Sequence, residues 1–290
     1  MNTSPRLRLA IAIPALLALP ACTTIQLGAA NLIETAEVPR TEVTYGDGPR
    51  QRYDVYRALD SLGRPLTLPA PVVIFVHGGS WESGDKRGYA WVGEALAQQG
   101  FVAILPNYGL MPSTRFPDFV DDVARAVAHA RARVTEWGGD TSRVVLMGHS
   151  AGAHIAALVA YDARYLAKQG ATPAMFSGFV GLSGPYDFIF DTKLLRRTFA
   201  GPPEREFDAL PVHFVTPRSL RTLLVMGNDD RTVNPRNTRS LAAALRKAAV
   251  PVEEIWVPGT HGVSVGAFAR INRGESEIVR RIAAFVRASP

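Results

Sequence analysis

The chain contains one cysteine, Cys22, in 290 residues. It cannot close an internal disulfide, so the fold must stand on its apolar core. Lysine is scarce as well, with four against 28 arginines. These basic residues are dispersed, so the net charge of +6 reads as a solvated, arginine-rich surface and not as a nucleic-acid footprint. No apolar run reaches the ~20 residues that a membrane-spanning helix needs. No repeat has solenoid or propeller spacing. The 25 Gly and 21 Pro are scattered, which excludes a low-complexity tract. No His, Cys, Asp or Glu group has metal-ligand spacing, so the expected chemistry uses neither metal nor organic cofactor. What the chain has is 47% apolar residues and enough length for one large domain.

The first residues stand apart from that domain. Residues 1–8 hold two arginines and no acid, and 9–19 form a short apolar run. This predicts an export signal over 1–21. The exit sequence is Leu19-Pro20-Ala21-Cys22. Leu19 at −3 suits plain signal peptidase poorly. Leu at −3, a small residue at −1 and Cys next resemble the lipobox of bacterial lipoproteins. That resemblance implies a lipidated Cys22, a tether over 22–40 and an envelope location facing the periplasm. Thr23 after the cysteine implies the outer membrane. A soluble periplasmic protein with an incidental cysteine is the alternative.

The domain is expected over 41–290. Alternating runs at 42–45 and 51–57 flank Gly46-Asp47-Gly48-Pro49, which predicts a β-hairpin. Continuous apolar runs follow at 72–76, 102–105, 144–147, 179–182 and 223–226, with a less regular one at 254–257. Such runs mark strands buried on both faces. Helical patterns separate them: 85–99, 118–137, 151–161, 236–248 and 275–287. Alternation of this kind predicts an α/β fold with a mostly parallel, eight-stranded sheet and helices on both faces. Residues 185–217 break the rhythm and read as a small lid. Phe188, Phe190, Phe199, Phe207 and Phe214 within or beside it line a pocket or simply fill the lid's own core.

The chemistry-bearing signal is Gly148-His149-Ser150-Ala151-Gly152, set between a strand and a helix. It resembles the nucleophile elbow of α/β-hydrolases, whose partners follow in the order serine, acid, histidine. A serine hydroxyl needs an adjacent base. Downstream of Ser150 the histidines are His154, His213 and His261. His154 is one helical turn along and is expected in packing; His213 falls in the lid. His261 follows the last strand, where a base belongs. His149, beside the serine, cannot turn to face it and reads as structural. The acid should follow the 223–226 strand, where either Asp229 or Asp230 could serve. An oxyanion hole needs the N–H of Ala151 and donors from the loop after an early strand. That loop is His77-Gly78-Gly79-Ser80-Trp81, and Gly79 and Ser80 are the expected donors.

Further motifs recur in order: Gly84-Asp85-Lys86, Pro106-Asn107-Tyr108, Phe116-Pro117, Asp121-Asp122, Gly138-Gly139-Asp140 and Ala153-His154. Together with the loop and the elbow they resemble the hormone-sensitive-lipase-like and carboxylesterase branches of the α/β-hydrolases. The kynurenine formamidase and isoprenylcysteine methylesterase-like group is the nearest in character. The resemblance spans roughly 42–288. Family-like spacing, Gly-x-x-Asp-x-x-Val, selects Asp230 as the acid. The resemblance implies a serine carboxylesterase acting through an acyl-enzyme on a small or medium ester. Its rivals are an arylformamidase-type amidase and a non-catalytic envelope binding protein.

Overall fold

The computed structural model describes residues 38–288 apart from 203, 270, 271, 273 and 275. The export signal, Cys22 and most of the tether lie outside the described residues.

The hairpin forms from β1 (Arg40–Thr44) and β2 (Arg52–Tyr56), paired antiparallel. Then come β3 (Ala70–Val76), α1 (Ala90–Gln98), β4 (Val102–Pro106), α2 (Asp118–Arg131), β5 (Gly139–His149), α3 (Ala151–Tyr161) and α4 (Ala163–Ala167). The chain continues through β6 (Gly178–Leu182), α5 (Lys193–Thr198), α6 (Glu204–Asp208), β7 (Thr222–Gly227) and α7 (Arg236–Lys247). It closes with β8 (Val252–Val257), α8 (Val263–Gly266) and α9 (Glu277–Arg287). One eight-stranded sheet results, in the order β1-β2-β4-β3-β5-β6-β7-β8. The hairpin is its antiparallel edge, and β3 through β8 pair parallel.

The continuous apolar runs acquire their meaning from this layering. Along β3, Val72, Ile74 and Val76 face one core, and Val73 and Phe75 face the other. The first core packs under α2, α3 and α7; the second packs under α1 and α9. A strand with helices on both sides has no solvent face, so period-two alternation disappears from its sequence. Every residue of α3 is buried as well, which makes it the central helix behind the elbow.

Two helical expectations need correction at their ends. The 118–137 helix stops at Arg131, and Val134–Trp137 forms a separate 3₁₀ turn. The break lets Val134 and Trp137 turn inward, with Trp137 edge-on to Tyr53. The 85–99 helix begins as a 3₁₀ turn, Lys86–Tyr89, capped by the Asp85 carboxylate on the Arg87 N–H. Lys86 is drawn inward there. Its Nζ donates to Asp54 at 2.5 Å and to Glu42 at 2.7 Å, and both Lys86 and Asp54 are buried. Charges removed from water are retained only when paired in this way. The backbone N–H of Lys86 also donates to Asn107, and Arg50 donates to the carbonyls of Gly84 and Tyr108. These bonds tie the loop after β3 to the edge hairpin.

Candidate active site

The elbow is strained where it must be. Ser150 sits at φ 55°, ψ −125°, between the end of β5 and the start of α3. Left-handed backbone costs on the order of 1–3 kcal/mol for a residue with a side chain and persists only where its surroundings enforce it. They do so through contact. A Cβ on Gly148 would stand 2.5 Å from the Gly152 carbonyl oxygen, and one on Gly152 would stand 2.2 Å from that of Val76. The Ser150 N–H donates to Leu182 on β6 at 2.9 Å. The hydroxyl is thereby presented at the C-terminal edge of the sheet.

The partners predicted from sequence converge on it. Ser150 Oγ donates to His261 Nε2 at 2.8 Å, and His261 Nδ1 donates to Asp230 Oδ2 at 2.8 Å. All three residues are buried. Asp230 Oδ1 accepts the N–H groups of Thr232 and Val233, both at 2.9 Å. Asp229 points to solvent, its N–H bound to the Gly259 carbonyl. The acid and base loops are cross-tied there, so closely that a Cβ on Gly227 would meet the Gly259 oxygen at 2.5 Å. Just past His261, the buried hydroxyl of Ser264 on α8 lies 2.7 Å from that of Ser183, the residue that follows β6.

The loop after β3 arrives opposite. Gly79 has φ 128°, and a Cβ there would stand 2.1 Å from the Ser83 oxygen, so only glycine fits. Ser80 and Trp81 follow at φ 53° and 60°. The N–H groups of Gly79, Ser80 and Ala151 make no hydrogen bond among the described residues. Free backbone donors, one of them (Ala151) at a helix N-terminus, suit a developing oxyanion.

A cavity of about 410 Å³ opens over Ser150. Trp81, Phe188, Leu194 and Leu195 supply apolar lining, and Asp187, Asp191, Arg231, Thr232 and Asn234 supply polar lining. The 185–217 segment contributes its first part, Pro185 to Leu195, to this lining. Of its phenylalanines only Phe188 reaches the cavity. Phe199 is buried against Trp81, Phe116 and Phe119, and Phe207 is exposed, stacked on His213.

His149 is buried and packs against the base. Its ring lies 5.1 Å from that of His261, and its Nδ1 is 3.2 Å from the Tyr89 hydroxyl. No local pattern announces this, because the contact joins residues 112 apart. Burial pushes His77 and His154 down to about 4 and His149 well below its ordinary value. All three imidazoles bind protons more tightly in the unfolded chain than in the fold. Their contribution to stability is therefore complete above about pH 6.5 and is lost as pH falls toward 4. For His77 and His154 the loss is about 3 kcal/mol each. Urea midpoints measured from pH 7.5 to 4.5 should fall steadily below pH 6.5; a flat profile would contradict the burial.

The sheet order, the left-handed serine at the elbow and the converging Ser–His–Asp side chains define an α/β-hydrolase fold. The chain belongs to the BD-FAE family, whose model matches residues 63–245. It is similar to Esterase LipC of Mycobacterium tuberculosis, at 35% identity over 247 residues, covering 78% of this chain and 60% of that protein. It is similar also to the probable isoprenylcysteine alpha-carbonyl methylesterase ICME of Oryza sativa subsp. japonica, at 28% over 268 residues, covering 85% and 63%. The chain thus spans about three fifths of the length of both relatives. Among solved structures, a Pyrobaculum calidifontis esterase shares the fold with a TM-score of 0.72 at 21% identity, covering 91% of each chain.

Proposed function

We propose that this chain is a carboxylic-ester hydrolase working through an acyl-enzyme. The observation that carries the reading is the unbroken line from Ser150 Oγ through His261 to Asp230, with 2.8 Å at each link. Ser150 attacks the ester carbonyl carbon as His261 Nε2 takes its proton. Asp230 holds the imidazole with Nδ1 protonated and stabilises the imidazolium. The tetrahedral oxyanion is received by the N–H groups of Ala151, Gly79 and Ser80. Collapse breaks the bond to the alcohol, which leaves with the proton from His261. Water then attacks the acyl-enzyme and gives a proton to His261, which passes it to Ser150 Oγ as the acyl–oxygen bond breaks and the acid is freed. The names of LipC and the rice methylesterase support an ester substrate.

Rapid mixing with p-nitrophenyl acetate tests this mechanism. A burst of p-nitrophenol approaching one equivalent per protein is expected wherever deacylation is the slower step. Turnover of N-formylkynurenine with no turnover of simple esters would sink the ester reading.

The N-terminal reading belongs to the same proposal and rests on Leu19, Ala21, Cys22 and Thr23. Cys22 carries the lipid, and the enzyme is held at the outer membrane facing the periplasm. Metabolic labelling with a radioactive fatty acid should mark the wild type and leave Cys22→Ala unmarked. A wild type that takes up no label, or a Cys22→Ala variant labelled equally, would contradict lipidation.

A further inference from the structure

His154 lies on α3, four residues after Ser150, and is completely buried. Its two ring nitrogens take partners from two segments far apart in the chain. The Trp81 indole Nε1–H donates to Nδ1 at 3.2 Å. Nε2 stands 2.7 Å from the carbonyl oxygen of Ala209. An indole N–H can only donate, and a carbonyl can only accept. Nδ1 is therefore bare, and Nε2 carries the proton. This neutral tautomer satisfies both partners; the other satisfies neither. Burial lowers the pKa to about 4, which preserves the neutral ring near neutral pH.

Both partners bear on the substrate cavity. Trp81 lines it directly and follows the oxyanion loop in left-handed backbone. Ala209 belongs to the 185–217 segment, whose Phe188, Leu194 and Leu195 line the cavity together with Asp187 and Asp191. The His154 ring is edge-on to Trp81, Phe188 and Phe199, with centroids 5.3 to 5.7 Å apart. One imidazole thus joins the nucleophile helix, the oxyanion loop and the covering segment.

We infer that His154 is a positioning residue that latches the covering segment to Trp81 and so sets which apolar groups of an ester the cavity admits. The inference rests on the ester-hydrolase reading. Both nitrogens are engaged, so His154 takes no part in proton transfer. Its effect reaches the substrate through the wall it holds. The group it sorts is apolar because the two lining residues that touch the His154 ring, Trp81 and Phe188, are apolar, whereas Asp187, Asp191 and Arg231 give the rest of the cavity polar character.

The test compares kcat/KM for p-nitrophenyl octanoate and p-nitrophenyl acetate. His154→Phe keeps a ring of similar size but leaves the indole N–H and the Ala209 carbonyl unpaired. It should change the octanoate-to-acetate ratio by about tenfold, chiefly through the KM for octanoate. His154→Gln can accept from Trp81 through Oε1 and donate to Ala209 through Nε2, and it should return the ratio toward wild type. A residue that only filled space would show the opposite order. Trp81→Phe removes the same bond from the other side, and combining it with His154→Phe should add little. Should His154→Phe fail to fold, Trp81→Phe and His154→Gln carry the comparison. A wild type inert on both esters would overturn the hydrolase reading. An active wild type whose ratio is unmoved in His154→Phe and Trp81→Phe, or moved independently by each, would overturn the latch alone.

Discussion

Replacing Ser150 with alanine is expected to lower kcat for short p-nitrophenyl esters by about 10⁴- to 10⁶-fold. The fold should survive, because alanine fits the same elbow and the Ser150 N–H bond to Leu182 does not involve the side chain. Residual catalysis over water would come from the free N–H groups of Gly79, Ser80 and Ala151, which the substitution leaves in place. Steady-state kinetics, with circular dichroism as a control for folding, check the prediction. Activity near the wild-type level would mean that another group is the nucleophile.

Asp230→Asn should cost about 10⁴-fold in kcat with little structural change. The reason lies in which carboxylate oxygen does what. Oδ1 accepts two backbone N–H groups, from Thr232 and Val233. The asparagine carbonyl must keep that position, since an NH₂ there would face two donors. The amide nitrogen then faces His261 Nδ1 and donates to it. Nδ1 loses its proton, Nε2 gains one, and His261 presents an N–H to Ser150 where it should present a lone pair. Asp229→Asn, at the exposed neighbour, should leave kcat within about twofold. Equal losses in the two variants would contradict the assignment of the acid.

The legibility of this molecule in its sequence follows the range of each interaction. The parallel sheet is readable because strands covered on both faces must be apolar throughout, as 72–76 and 144–147 are. The elbow is readable because Gly148 and Gly152 bracket Ser150 within five residues, although only the Gly148 constraint is local: Gly152 leaves no room for a Cβ against Val76 and His77 of the distant β3 end. His261 follows from chain order and its place after β8, whereas the place after β7 leaves Asp229 and Asp230 both open and only the family-like spacing selects Asp230. Helix ends were less readable, since the break after Arg131 serves the burial of Val134 and Trp137 against a distant hairpin. The Lys86–Asp54 pair and the contact of His149 with His261 join segments that meet only in the folded chain. The covering segment lacks helical or strand periodicity, so nothing in it separates Phe188, which faces the cavity, from Phe199, which packs beneath Trp81. His154 shows the same limit. Its place one turn from the nucleophile suggests packing, and only the folded chain brings Trp81 and Ala209 to its two nitrogens.

The most direct measurement is covalent. A fluorophosphonate probe reacts with a serine only where a base removes its proton and donors receive the phosphoryl oxygen. Incubated with the purified protein and mapped by peptide mass spectrometry, it should modify one residue, Ser150, in near-stoichiometric yield, and nothing in Ser150→Ala. Absence of modification in the folded wild type, or equal modification of the alanine variant at another serine, would contradict the account.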